Sequence, residues 1–167
     1  MEHAQLVRAA DRPRFAARQV TASLQPIHLP SDRSSAETCW GDRLDDAYAW
    51  RSLSDAGALI ALGSDAPIET ANPWRGIFAA VRRHAIGDGD DPWRPAEALT
   101  LDEALAGYTI GPSRAALRSD LGHLRPGARA DLAILNVDLE TLRAADARLA
   151  SVHSQLTLVD GTEVHGT

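Results

Sequence analysis

A chain of 167 residues, 44% hydrophobic and 24% charged, has the composition of one globular domain; at this size it buries roughly 70% of its unfolded surface, which excludes a disordered or membrane-embedded chain. Its formal net charge of −6, with both signs interleaved and no basic block, argues against a nucleic-acid backbone as partner. Cys39 is the only cysteine, so an internal disulfide is excluded, and the opening MEHAQLVRAADRPR holds no long apolar run, so neither a secretory leader nor a membrane partner is expected and the cytoplasm is the expected location.

In chain order, Asp11-Arg12-Pro13 reads as a capped first turn opening a helix, and residues 20–24 alternate as a short strand that Gln25-Pro26 ends. A polar loop is expected over 29–41, then a helix over 44–56 with Leu44, Ala47, Tyr48 and Leu53 near one face and Gly57 as its stop. Residues 58–62 are uniformly apolar, as in a strand buried on both faces of a parallel sheet. Asn72-Pro73 opens a helix whose buried stripe is Ile77, Phe78, Val81 and Ala85. An acidic surface loop follows at 87–95. Thr100 and Glu103 form a capping box at the head of a helix running through Leu105 and Tyr108 to Gly111-Pro112, with a short helical piece at 113–118.

After Leu121 the pattern changes. Residues 124–127 make a turn, 130–135 a strand, and 156–159 with 162–165 flank Asp160-Gly161 as a two-residue hairpin. If the first three residues are the tail of a strand, strands and helices alternate, which gives an α/β fold with a parallel sheet and crossover helices. The set is too small for a closed barrel, which needs eight such units and about 250 residues.

His3, His28 and Asp65 each stand just after a predicted strand end. In barrels of parallel strands those ends face the active site, so distant residues can be aimed at one point. Each has a plainer reading: Asp65 as the turn residue that stops a strand, His3 as a terminal residue, His28 as a solvated loop histidine. His84, His123, His153 and His165 suggest no chemistry. Gly63-Ser64-Asp65-Ala66-Pro67 is not a nucleophile elbow, and a P-loop, a dinucleotide glycine fingerprint and a CxxC pair are absent. All 17 basic residues are arginine, so no Schiff base, lysine general base or carboxylated lysine can come from this chain.

Seven ordered stretches carry a resemblance: Glu2-His3-Ala4-Gln5-Leu6, Gln25-Pro26-Ile27-His28, Ala47-Tyr48-Ala49-Trp50-Arg51-Ser52-Leu53, Gly63-Ser64-Asp65-Ala66-Pro67, Asn72-Pro73, Leu101-Asp102-Glu103-Ala104-Leu105, and Leu124-Arg125-Pro126-Gly127-Ala128-Arg129-Ala130-Asp131-Leu132. Together they resemble the C-terminal part of amidohydrolase family 3, in particular its N-substituted formamide deformylase-like metal-dependent hydrolases. The resemblance implies residues 1–120 as the last three βα units of a TIM-type (β/α)8 barrel, strands six to eight with their helices, and residues 121–167 as strands of a small composite β-sandwich.

It also implies roles. His3 matches a metal ligand on the sixth strand. Asp65 matches the eighth-strand aspartate, a metal ligand and the general base, and His28 matches a seventh-strand position near the substrate. The implied cofactor is a divalent metal, zinc in the intact family, and the implied substrate a small-molecule amide. The family's His-x-His pair and carboxylated lysine have no counterpart in these residues, leaving two matched ligands where a catalytic zinc takes three protein ligands plus water. The expectation is therefore a truncated or split enzyme, inactive alone, that pairs with an N-terminal half or with itself; a noncatalytic scaffold or binding module is the alternative.

Overall fold

The computed structural model describes residues 1–89, 91–144 and 146–166. Two short strands, β1 (Ala22–Leu24) and β2 (Ile60–Leu62), pair in parallel with Ala22 opposite Ile60 and Leu24 opposite Leu62. On the far side of β1 the backbone of Glu2 forms a parallel bridge with Ser23, so three successive segments run the same way in the order Glu2, β1, β2. Parallel neighbours need crossovers, because a tight hairpin would reverse direction. They are supplied by α1 (Arg12–Ala17) before β1, and by α2 (His28–Cys39) and α3 (Trp50–Asp55) before β2.

α2 occupies the stretch expected to be a polar loop. Only Leu29 and Ala36 give it a buried apolar face, two turns apart, and a stripe that thin is invisible to a periodicity count. Pro30 does not prevent the helix, because the first-turn N–H groups lack intrahelical acceptors in any case.

The helix expected over 44–56 is broken. A 3-10 segment (Gly41–Asp46) and α3 flank an interruption in which Ala47 is extended and Tyr48 takes φ 47°. The interruption arises because Ala47 bridges Leu6 and the Tyr48 N–H donates to the Gln5 carbonyl at 2.7 Å, so tertiary pairing replaces the helical bonds.

After β2 come α4 (Pro73–Arg82), α5 (Leu101–Tyr108) and α6 (Ile110–Ala115). α4 opens as its sequence predicts, with the Asn72 side chain accepting from the Trp74 N–H. It closes at Arg82 because Arg83 turns left-handed (φ 61°) and enters the core. There its Nε donates to the Trp93 carbonyl at 3.0 Å and its Nη1 to the Tyr48 carbonyl at 3.2 Å, with the guanidinium 4.2 Å from the Trp50 ring. In the acidic loop at 87–95, residue 90 lies outside the described residues, while Trp93 is buried rather than on the surface.

α5 and α6 lie directly on β2. A Cβ added at Gly111 would meet the Ile60 carbonyl oxygen at 2.1 Å, so only glycine permits this approach. Leu24, Leu29 and Leu53, all fully buried, centre the core and contribute about 1.5–3 kcal/mol each by burial.

The remaining strands, β3 (Leu132–Leu135), β4 (Ser154–Val159) and β5 (Thr162–Gly166), form an antiparallel sheet in chain order. The β4–β5 turn has φ 52° at Asp160 and 78° at Gly161, the paired positive values that favour Asp-Gly in tight hairpins. Between β3 and β4, the unexpected helix α7 (Leu139–Ala144) and a following 3-10 turn bury Leu142 and Leu149 in the main core.

Candidate metal centre

The parallel arrangement carries three side chains to one end. His3 follows the Glu2 bridge, His28 opens α2 four residues beyond β1, and Asp65 stands three residues beyond β2. One donor atom from each falls within 4.8 Å of the others. The three residues singled out from the sequence are therefore brought together, from positions up to 62 residues apart in the chain.

His28 Nε2 is 3.4 Å from Asp65 Oδ2, yet no hydrogen bond joins them. Nδ1 of His3 and Nε2 of His28 are both buried without a hydrogen-bond partner among the described residues. The two imidazole rings are 5.6 Å apart and tilted by 50°. Asp65, with 40% of its side chain exposed, forms the open side. Buried polar atoms without hydrogen-bond partners cost roughly 1–3 kcal/mol apiece, and here two imidazole nitrogens in that state stand beside a carboxylate. Two imidazoles and a carboxylate form the nitrogen and oxygen donor set of a catalytic zinc site, and the residues fit a divalent ion.

Backbone strain gathers at the same place. His3 (φ 63°), Ala4 (φ 40°) and Asp65 (φ 58°) are all left-handed without being glycine. Such positions cost roughly 1–3 kcal/mol and persist where surrounding contacts hold them. Here the Ala4 N–H donates to the Glu2 carbonyl at 2.8 Å and the Ile68 N–H to the Asp65 carbonyl at 2.9 Å.

Side chains that the sequence did not single out as site residues tie together the segments that carry the donors. Glu2 accepts from the Ser23 hydroxyl and from the Gln25 amide at 2.7 Å; the Ser23 bond does most to hold its carboxyl below the usual range, against a burial effect in the opposite direction. Asp32 Oδ2 accepts from the Gln5 amide at 2.9 Å and the Tyr48 hydroxyl at 2.6 Å, tying the His3 loop to α2. Burial, then the bond to Asp32, raises the Tyr48 phenol pKa and keeps it a donor. Tyr108 donates to the Gly63 carbonyl at 3.1 Å just before Asp65, and burial pushes its own pKa up to about 12. Glu69 accepts from the Ser31 hydroxyl at 3.1 Å and stands 4.0 Å from His28 Nδ1. Its one sequence signal is that it lies four residues after Asp65.

A cavity of about 380 Å³ lined by Met1, Leu6, Phe15 and Val20 contains none of the three donors. The donor chemistry, and not this hollow, therefore marks the site.

A sequence profile described as the amidohydrolase family matches residues 1–165. The chain is 38% identical over 141 residues to Protein LONG AFTER FAR-RED 3 of Arabidopsis thaliana, covering 83% of this chain and 24% of that protein. It is 38% identical over 112 residues to the N-substituted formamide deformylase of Arthrobacter pascens, covering 66% of this chain and 20% of that enzyme. Among solved structures, an uncharacterized metal-dependent hydrolase from Pyrococcus furiosus superposes with a TM-score of 0.66 at 36% identity, over 77% of this chain and 26% of its own. The chain thus spans only about a fifth to a quarter of the length of these proteins.

Proposed function

This chain belongs to the amidohydrolase family, and on that premise we propose that it carries the C-terminal part of a metal-dependent hydrolase acting on carbon–nitrogen bonds of small-molecule amides or formamides, not peptides. The observation that carries the reading is the convergence of His3, His28 and Asp65 beyond the ends of parallel segments. The similarity to an N-substituted formamide deformylase supports the bond class.

In this reading residues 1–120 are the last three βα units of a (β/α)8 barrel and residues 121–167 are strands of a composite β-sandwich. His3 and Asp65 hold a divalent ion, zinc by the donor chemistry. When bound, such an ion polarises the scissile carbonyl and lowers the pKa of a water toward about 7. The Asp65 carboxylate takes the proton of the hydrolytic water and returns it to the leaving nitrogen, acting as base and then as acid. Its exposed side admits both water and substrate, and His28 faces the substrate's reacting end. The single cysteine suits a reducing cytoplasm.

These 167 residues hold no lysine and no His-x-His, so the assembled site draws its remaining donors from elsewhere and the chain alone does not turn over. The test is to express it alone and together with a polypeptide carrying the His-x-His part of a family member, with zinc, and to follow hydrolysis of N-substituted formamides. Turnover only in the combined preparation supports the reading. A monomeric chain with one bound zinc that hydrolyses the amide by itself contradicts it.

A further inference from the structure

We infer that in this chain on its own His28 is a metal ligand, so that His3, His28 and Asp65 form a three-donor site for a divalent transition-metal ion. The inference rests on the metal-dependent reading above and deepens it. The substrate-facing histidine of the assembled enzyme becomes the third ligand when the other donors are not present.

Three observations carry it. Bonds of about 2.0–2.1 Å in tetrahedral geometry place neighbouring ligand atoms about 3.4 Å apart. His28 Nε2 and Asp65 Oδ2 stand at 3.4 Å without a hydrogen bond between them, the separation of two atoms that share a third partner. His28 exposes only 9% of its surface, and its unpartnered Nε2 is on the Asp65 side, matched by the unpartnered Nδ1 of His3. At the other ring nitrogen of His28, Glu69, anchored by Ser31, stands 4.0 Å from Nδ1.

That last placement matters because histidine ligands commonly give their other N–H to a carboxylate, which fixes the tautomer and turns the free lone pair toward the metal. Glu69 is the carboxylate placed beside that second nitrogen. All three donors lie inside 4.8 Å of one another, so one ion can be shared among them once the donors draw in to bonding distance. Glu69 is then a positioning residue for His28.

The test is a titration of the 167-residue chain with cobalt(II), read by visible absorption, and with zinc, read by calorimetry. One ion per chain is expected, with His28→Ala weakening binding by at least about tenfold, as His3→Ala and Asp65→Ala do, and Glu69→Gln weakening it by about 10-fold or somewhat more. If His28→Ala binds as the parent does while His3→Ala and Asp65→Ala do not, His28 is not a ligand, and the metal-dependent reading stands without it. If the parent chain binds no ion at millimolar metal, the inference falls, while the hydrolase reading is decided separately by the combined assay. Nitrogen-15 spectra of the parent chain keep the test independent of folding in the variants. A zinc-induced shift of His28 Nε2 supports the inference, and an unmoved resonance at saturating zinc overturns it.

Discussion

His28 Nε2 and Asp65 Oδ2 meet at 3.4 Å although the two residues lie 37 positions apart. Parallel pairing of β1 with β2 brings their trailing loops side by side, and the left-handed backbone at Asp65 (φ 58°) redirects the chain as it leaves β2. Asparagine tolerates that backbone region and β-branched residues do not. Asp65→Asn should therefore leave stability within about 0.5 kcal/mol of the parent, whereas Asp65→Val should lose about 1–3 kcal/mol. Urea unfolding of both variants checks this, and equal losses would mean that backbone strain plays no part at this position.

The Tyr48 hydroxyl, at the break between the 3-10 segment and α3, donates to Asp32 and ties that break to α2. Tyr48→Phe removes the donor and leaves Asp32 with Gln5, at a cost of about 1–2 kcal/mol. Chemical denaturation should show a lower midpoint with an unchanged slope. An unchanged midpoint would exclude this bond as a stabilising contact.

Arg51 of α3 grips Glu103 of α5 through two hydrogen bonds, while Glu103 also closes the Thr100 capping box. The Arg51 bonds are the main reason the Glu103 carboxyl falls to about 2 from an ordinary 4.5. A folded-state pKa below the unfolded one means that the unfolded chain takes up protons first. The contribution is thus complete above pH 4.5 and is lost as pH falls toward about 2. The melting-temperature gap between parent and Glu103→Gln should be widest near pH 6 and should narrow steadily below pH 4.5. Because 35% of the Glu103 side chain is exposed, the gap should also shrink with added salt.

Gly111→Ala should cost more than about 2 kcal/mol, because its methyl group would strike the Ile60 backbone carbonyl, which cannot swing away as a flexible side chain would. Gly63→Ala is the internal control: nothing lies within 4 Å of an added Cβ there. Thermal melts of the two variants should differ clearly, and equal melts would contradict the close seating of α6 on β2.

Features written into adjacent residues were legible in the sequence: the Asn72 and Thr100 caps, the Asp160-Gly161 hairpin turn, and the apolar run containing β2 all form where expected. Features decided by distant partners were not. α2 shows little apolar stripe because Asp32 on it turns inward toward Gln5 and Tyr48, and the break at Ala47 and Tyr48 exists only because the backbone of Gln5 and Leu6 pairs there.

At the site, His3, His28 and Asp65 could be named because each follows a strand end and lies in a recognisable stretch. Glu2, Gln25 and Glu69 could not, because a carboxylate or amide that serves another side chain has no spacing rule of its own.

The most direct measurement is turnover of an N-substituted formamide by the chain combined with a His-x-His half, comparing Asp65 with Asp65→Asn. In the proposed reading Asp65 is the general base, and its loss should lower kcat by about 10²–10⁴-fold while the two parts still assemble. Full activity in Asp65→Asn, or unaided turnover by the 167-residue chain alone, would contradict the assignment of Asp65 as the base of a site completed from outside these residues.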